Sequence, residues 1–220
     1  MSRTMAPVTR ASSAPAGTGG TANTILDVAE QLAQTRGFNG FSYADISAQL
    51  GITKPSLHYH FRTKADLGRS LIVRYAERFR GALEAIEGSG APAPEQLERY
   101  VRLYAGVLRG ERMCLCGMLA AEYQTLPRAM QEEIRQFFDL NEAWLSRVLE
   151  QGREAGMLRF SGLPEEAARL LVAALEGAML VARSYGDVAR FESSAKRLLD
   201  DLKPSVGQFA GTRKRPRATM

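Results

Sequence analysis

The chain has 220 residues, with 29 Lys and Arg against 24 Asp and Glu, for a net charge of +5. That length buries a sizeable core in one or two compact units, and the basic balance suits a polyanionic partner without identifying one. The longest apolar stretch, Leu170 to Val181, is interrupted by Glu176 and falls short of the ~20 residues of a membrane span; with two cysteines and no secretory apolar core, the expected compartment is a reducing cytoplasm.

Residues 1–20 are rich in Ala, Ser, Thr, Gly and Pro and read as a disordered arm. A first helix is expected from Thr24 to Arg36, where Ile25, Val28, Ala29, Leu32 and Ala33 recur at helical spacing and Gly37 stops the run. Phe41 to Phe61 then reads as two short helices joined by a tight turn. Ser42 is placed to cap the first of these, with Asp45 in its first turn, where the helix dipole favours a carboxylate. Ala44, Ile46, Ala48 and Leu50 give that helix a small apolar face, and Gly51 supplies a left-handed cap. Ile52 fills the elbow, Thr53 caps the second helix and Pro55 sits in its first turn, where a missing N–H costs nothing. Leu57 and Phe61 face inward, so Lys54, Ser56, His58, Tyr59 and His60 point elsewhere. That is how a helix-turn-helix offers one helix to the major groove of DNA. A bare helical hairpin would leave those aromatic residues exposed for no purpose.

The apolar first helix, the Gly37-Phe-Asn-Gly-Phe-Ser42 link, Asp45-Ile-Ser47, Leu50-Gly-Ile-Thr-Lys54 and Tyr59-His-Phe-Arg-Thr-Lys-Ala-Asp-Leu67 together resemble the TetR family of bacterial transcriptional regulators, over about Thr24 to Leu71. The resemblance implies an all-α homodimer with a three-helix DNA-binding domain and a larger helical ligand-binding and dimerisation domain. It places Ser42, Tyr43, Thr53, Lys54, Pro55, Ser56, His58, Tyr59, His60 and Lys64 at DNA-facing positions. The chain has His58 where the family more often has Tyr, which departs from the usual phosphate contact.

Further helices are expected at about Lys64 to Glu87, Pro94 to Arg109, Leu115 to Thr125, Arg128 to Ala155, Pro164 to Tyr185 and Asp187 to Leu202. The breaks between them include Gly88-Ser-Gly-Ala-Pro-Ala-Pro94 and Ser161-Gly-Leu-Pro164. No strand alternation is visible, so the fold class is all-α. The division expected is an arm over 1–20, a DNA-binding domain over 21–68, a regulatory and dimerisation domain over 69–203 and a basic tail over 204–220. Ala167, Ala168, Leu171, Ala174, Leu175, Ala178, Met179 and Ala182 form a surface of small and apolar side chains suited to close helix contact, between subunits or within the monomer core. In the resembling family the last two helices make a four-helix dimer contact. Such a two-fold would set two recognition helices about 34–36 Å apart on a palindromic operator.

The second stretch of interest is Met113-Cys-Leu-Cys-Gly-Met118. Cys114 and Cys116 sit at a helix start, with Arg109 and Arg112 upstream; a helix dipole and guanidinium charge both lower a thiol pKa. The run through Ala-Ala-Glu-Tyr-Gln-Thr-Leu-Pro127 is similar to a TetR subgroup with a Gly-Cys-Leu stretch, which includes regulators of reactive electrophiles and acrylate-like compounds. Met113 replaces that glycine and Cys116 is an extra thiol. The opposite reading, two buried inert thiols, stays open. A Cys114–Cys116 disulfide would be strained. A ligand pocket is the other route for a signal, with Tyr104, Tyr123, Phe137, Phe138, Trp144, Glu176 and Met179 as its lining. A carboxylate within an apolar helix needs a partner, which Arg169 or Arg183 is placed to supply.

No enzyme is expected. Both histidines, His58 and His60, lie in the expected recognition helix and leave none for a nucleophile elsewhere. Neither a cofactor nor a metal is expected, since a His58, His60, Cys114, Cys116 set would span two domains. The expected function is a dimeric repressor released from its operator by a small molecule or by cysteine modification. An activator or a non-specific architectural DNA binder is the alternative.

Overall fold

In the computed structural model, which describes residues 18–204, the chain forms α1 (Thr18–Arg36), α2 (Tyr43–Leu50), α3 (Lys54–His60), α4 (Lys64–Gly88), α5 (Ala93–Arg109), α6 (Leu115–Ala121), a 3-10 turn (Tyr123–Thr125), α7 (Arg128–Glu154), α8 (Pro164–Ser184) and α9 (Val188–Asp200). There is no strand among the described residues, and the all-α expectation holds. Residues 18–20, expected to belong to the arm, form the start of α1. The rest of that arm and residues 205–220 of the basic tail lie outside the described residues. No helix among the described residues is long and apolar enough to cross a membrane.

The N-terminal unit is built on a dense apolar centre. Ile25, Ala29, Phe38, Phe41, Ile46, Leu57, Phe61, Leu67 and Leu71 are all buried, and each large side chain contributes about 1.5–3 kcal/mol by leaving water. The expected apolar face of α2 is narrower than its spelling suggests. Only Ile46 is buried there, while Ala44 and Ala48 are exposed, because α2 is two turns long and only one row of it meets α1 and α3. Gly51 ends it at φ 64°, a left-handed conformation an ordinary side chain resists. Thr53 caps α3 by accepting the Ser56 N–H at 3.3 Å.

In the larger C-terminal unit α8 packs against α7 and α9, and α4 runs from the helix-turn-helix into the same bundle to meet α7. A long aromatic cluster fills its centre. Phe79 meets Tyr100, Tyr104 and Phe137 edge-on, and Trp144 stacks on Tyr100 at 5.6 Å. The segment expected as one helix from Leu115 to Thr125 is instead α6 followed by a 3-10 turn. Thr125 tightens it by directing both its N–H (2.9 Å) and its hydroxyl (2.8 Å) to the Glu122 carbonyl.

The small apolar surface expected on α8 divides between the subunit core and a half-buried edge that carries Ala167, Ala174 and Ala178. Ala168, Leu171, Leu175, Met179 and Ala182 are buried inside the subunit. The outward stripe is Leu170, Ala173, Gly177, Leu180 and Val181, with Leu170 67% exposed. The sequence pattern shows that two faces of α8 are apolar without saying which one the subunit itself covers.

Candidate nucleic-acid interface and regulatory site

On α3, Leu57 is fully buried and Phe61 nearly so, and these anchors turn Lys54, Pro55, His58 and Tyr59 outward. Tyr59 is 76% exposed, and its ring meets His60 edge-on at 5.2 Å. Lys54 has no ion pair among the described residues. Ser56 and His60 are half-buried at the flanks of this face, and Thr53 is exposed at its start. A shallow hollow between α2 and α3 is lined by Ser42, Tyr43, Lys54, His58 and Lys64, among others.

Several of the residues expected to face DNA also have structural work. Tyr43 donates its hydroxyl to the Phe61 carbonyl at 2.8 Å and packs on the His58 ring at 4.8 Å. Burial, with Asp66 adding to it, pushes its pKa up to about 12, so it stays a donor. His58 Nδ1 lies 3.0 Å from the Arg62 carbonyl. The Ser42 hydroxyl donates to Asp45 at 2.7 Å, and Asp45 also accepts the Ser42 N–H at 2.8 Å. Ser42 thus donates through its hydroxyl, and these contacts, the side-chain one foremost, lower the Asp45 pKa. Lys64 donates to the carbonyls of Phe38 and Phe41 and lies 4.5 and 4.4 Å from the centres of their rings. Its half-buried ammonium therefore clasps the α1–α2 link, leaving one of its three N–H groups for another acceptor.

That link is held from the C-terminal unit as well. Glu122 accepts the Phe38 N–H at 2.7 Å and the Asn39 N–H at 3.3 Å, while the Asn39 amide donates to the Thr125 hydroxyl at 2.7 Å. Gly37, at φ 81°, leaves the space that the Glu122 carboxylate fills. Nothing local in the sequence marks Glu122 for this role, because its partners lie more than 80 residues away. At the other end of the same segment, Gln34 of α1 donates to the Met113 carbonyl at 2.9 Å and accepts the Met113 N–H through its own carbonyl at 3.2 Å. Residues 113–125 thus bridge the buried thiols and the helix-turn-helix.

At the α6 start, the structure reverses the electrostatics expected for the thiols. Cys114 and Cys116 are both buried, and burial, with Glu176 adding to it, raises both well above the usual thiol range. Arg109 is paired with Glu192, and Arg112 donates to the Gln34 side-chain carbonyl at 3.2 Å; neither guanidinium partners a thiol. α6 is also only seven residues long, so its dipole is a weak counterweight to the loss of water.

The structure does bring Cys114, Cys116 and Glu176 together. The carboxylate sits where a Cβ on Gly117 would lie, and Tyr75 of α4 directs its hydroxyl to Cys114 Sγ at 3.8 Å. The expected internal partners of Glu176 are elsewhere. Arg169 pairs with Glu142 at 3.4 Å, and Arg183 donates to the Thr35 carbonyl and to Met118. Both Glu176 oxygens are buried with no hydrogen-bond partner, and the Trp144 indole N–H is likewise unpaired. Burial raises the Glu176 pKa to about 7, although the adjacent Cys114 thiol, which lies near it without good bonding geometry, draws it partly back. Tyr123 stands apart in the 3-10 turn, where its carbonyl accepts from Gln131 at 2.8 Å. Among the described residues there is no cluster of three or more His, Cys, Asp or Glu suited to a metal.

Residues 25–71 match the model of the bacterial regulatory proteins of the tetR family, and residues 93–198 match that of the tetracyclin repressor-like C-terminal domain. The chain is 30% identical over 168 residues to the HTH-type transcriptional repressor NemR of Escherichia coli K12, covering 72% of this chain and 82% of that protein. It is 24% identical over 157 residues to the HTH-type transcriptional repressor DhaR of Mycobacterium sp. GP1, covering 71% and 79%. A TetR-family regulator from Agrobacterium tumefaciens superposes with a TM-score of 0.82 at 34% identity, covering 84% of this chain and 99% of that one. With both halves matched, and the helix-turn-helix placed as described, this chain belongs to the TetR family of bacterial regulatory proteins.

Proposed function

We propose that the protein is a sequence-specific, homodimeric transcriptional repressor whose release from a palindromic operator is triggered through the α6 segment, by a small molecule or by modification of Cys114. The observation that carries the DNA-binding part is the division of α3: Leu57 and Phe61 are committed to the core, and Lys54, His58 and Tyr59 are exposed. In the major groove a Lys can donate to guanine O6 and N7, and a Tyr or His can meet a phosphate or a base edge. Ser42, Tyr43, Thr53, Pro55, Ser56, His60 and Lys64 complete the proposed DNA face, the last offering its remaining N–H to a phosphate.

The test uses fluorescence anisotropy with an operator selected from the protein's own genomic DNA. The Lys54→Ala variant is expected to lose roughly 5- to 150-fold on the operator, the equivalent of about 1–3 kcal/mol, with little change on random duplex. Equal losses on both duplexes would move Lys54 to a phosphate role. A wild type without preference for any duplex would favour the architectural alternative.

Dimerisation is proposed through α8 and α9, with the stripe Leu170, Ala173, Gly177, Leu180 and Val181 at its centre. Five exposed large apolar side chains on and beside one helix, from Leu163 before it to Tyr185 at its end, form the kind of patch that monomers rarely leave uncovered. Introducing Leu170→Glu with Val181→Glu is expected to give a monomer by sedimentation and to weaken operator binding by roughly 10²-fold or more through loss of avidity. A dimer of unchanged stability would place the interface elsewhere.

A further inference from the structure

The buried Glu176 carboxylate has no hydrogen-bond partner for either oxygen, and an arrangement of that kind calls for a reason. Its surroundings supply one. The carboxylate lies against Gly117, three residues on from Cys114 at the start of the same helix, and the Gly117 backbone N–H favours the Cys114 thiolate form. Tyr75 adds a hydroxyl at 3.8 Å from the same sulfur. A nucleophile, a base and two donors to the developing anion therefore stand together at the joint of α4, α6 and α8. Cys116, although buried beside the same carboxylate, has neither donor.

We propose that Glu176 is the acid–base partner of Cys114, taking the thiol proton as the sulfur adds to a small, neutral activated alkene and returning it to the adduct. The inference rests on the proposed reading in which modification of Cys114 triggers release. As the Sγ–C bond forms at the β-carbon, the S–H bond breaks and its proton passes to a Glu176 oxygen. The alkene π pair moves onto the α-carbon and its carbonyl as an enolate. Glu176 then protonates the α-carbon, so the net change is addition of S–H across C=C, with no oxidant and no leaving group. Proton transfer accompanies attack, because a free thiolate is disfavoured in this buried setting. Neutrality of the alkene follows from Glu176 itself, which repels an anion, and small size follows from the burial of both thiols.

The titratable groups that couple electrostatically to Glu176 are Tyr75 of α4, Tyr100 and Tyr104 of α5, and Cys114 and Cys116 of α6. Glu142 of α7 is paired with Arg169, and Arg183 on α8 is engaged by Thr35 and Met118. Burial keeps the three tyrosines neutral through ordinary pH. Glu176 is thus the group that titrates near neutrality.

The full-length protein is treated with acrylamide from pH 5.5 to 9, with acrylate as the anionic analogue. Adducts at each cysteine are followed by intact and peptide mass, and rates are normalised to those of a free thiol in solution. The expected result is a Cys114 adduct whose rate rises through a single ionisation near 7, the Glu176 value, and discriminates against acrylate. In Glu176→Gln the rate at pH 7.5 falls by about 10²-fold, the ordinary scale of general-base assistance, and the rise moves toward more alkaline pH. Glu176→Asp restores part of it. An unchanged rate and pH profile in Glu176→Gln overturns the proposal, as does an adduct confined to Cys116. If Glu176→Gln fails to fold, the wild-type pH profile and Glu176→Asp decide between the same outcomes. Operator affinity is read on the same samples. A Glu176-dependent adduct that leaves operator affinity intact overturns the thiol-triggered reading and supports the acid–base pair, whereas release by an adduct formed equally fast in Glu176→Gln overturns only the pair.

Discussion

Replacing Glu176 by glutamine is expected to stabilise the folded protein at pH 8 by up to about 3 kcal/mol and to change little at pH 5. The sign follows from the direction of the shift. An unfolded chain ionises this carboxyl near 4.5, while the folded chain holds the proton until about 7, so between those values only the unfolded state releases it. Stability is therefore lost as pH rises through this window, and the loss is complete above the folded value. A shift of that size corresponds to roughly 3 kcal/mol, an upper figure because the residue as a whole is only partly buried. Glutamine fills nearly the same volume without a charge and removes the dependence. Denaturant unfolding at fixed protein concentration at pH 5 and pH 8 checks it, and parallel pH slopes in both proteins would contradict a buried, unpartnered carboxylate at this position. The thermal equivalent is a rise of roughly 2–4 °C per kcal/mol.

The second large effect is expected at Glu122. Its carboxylate accepts two backbone N–H groups of the α1–α2 link, and hydrogen bonds to a charged acceptor contribute about 1.5–3 kcal/mol each. Glu122→Ala is expected to destabilise the protein by about 2–3 kcal/mol, since the Asn39 N–H is exposed to water and recovers part of its loss. The larger consequence is functional. Met113 is tied to α1 at one end and Glu122 to the link at the other, so short, directional bonds join both ends of this segment to the helix-turn-helix unit. Removing the far tie should shrink the ratio of operator affinities with and without effector toward one, even where the variant alone still binds. A ratio equal to the wild type's would show that α4, which also joins the two units, carries the signal unaided.

Local chemistry explains why the DNA-binding half was largely legible. Gly51 at positive φ, Thr53 capping Ser56, Pro55 in the first turn, and Leu57 and Phe61 as anchors are all decided within a few residues of where they act. The structural role of Tyr43 was less visible, because its partner at Phe61 lies 18 residues on. The C-terminal half was legible as helices but not as a site. Dipole and arginine arguments for acidic thiols failed because they count only neighbours in sequence. The two arginines are drawn off by Glu192 and Gln34, and burial outweighs what a seven-residue helix can supply. Glu176 was visible as a carboxylate on an apolar helix, but its partnerless state was not, since Arg169 and Arg183 stood at suitable spacing and are committed to other elements.

By itself, then, the sequence determined the all-α class, the helix-turn-helix and its outward residues, because capping, turn chemistry and periodicity act over short distances along the chain. Tertiary packing alone decided which apolar stripe of α8 stays uncovered, that Lys64 clasps the α1–α2 link, and that Glu122 and the Cys114–Glu176 pair lie at opposite ends of one short segment. Each of those depends on a contact between residues far apart in the chain, where solvent exclusion and competition among partners, rather than spacing, set the outcome.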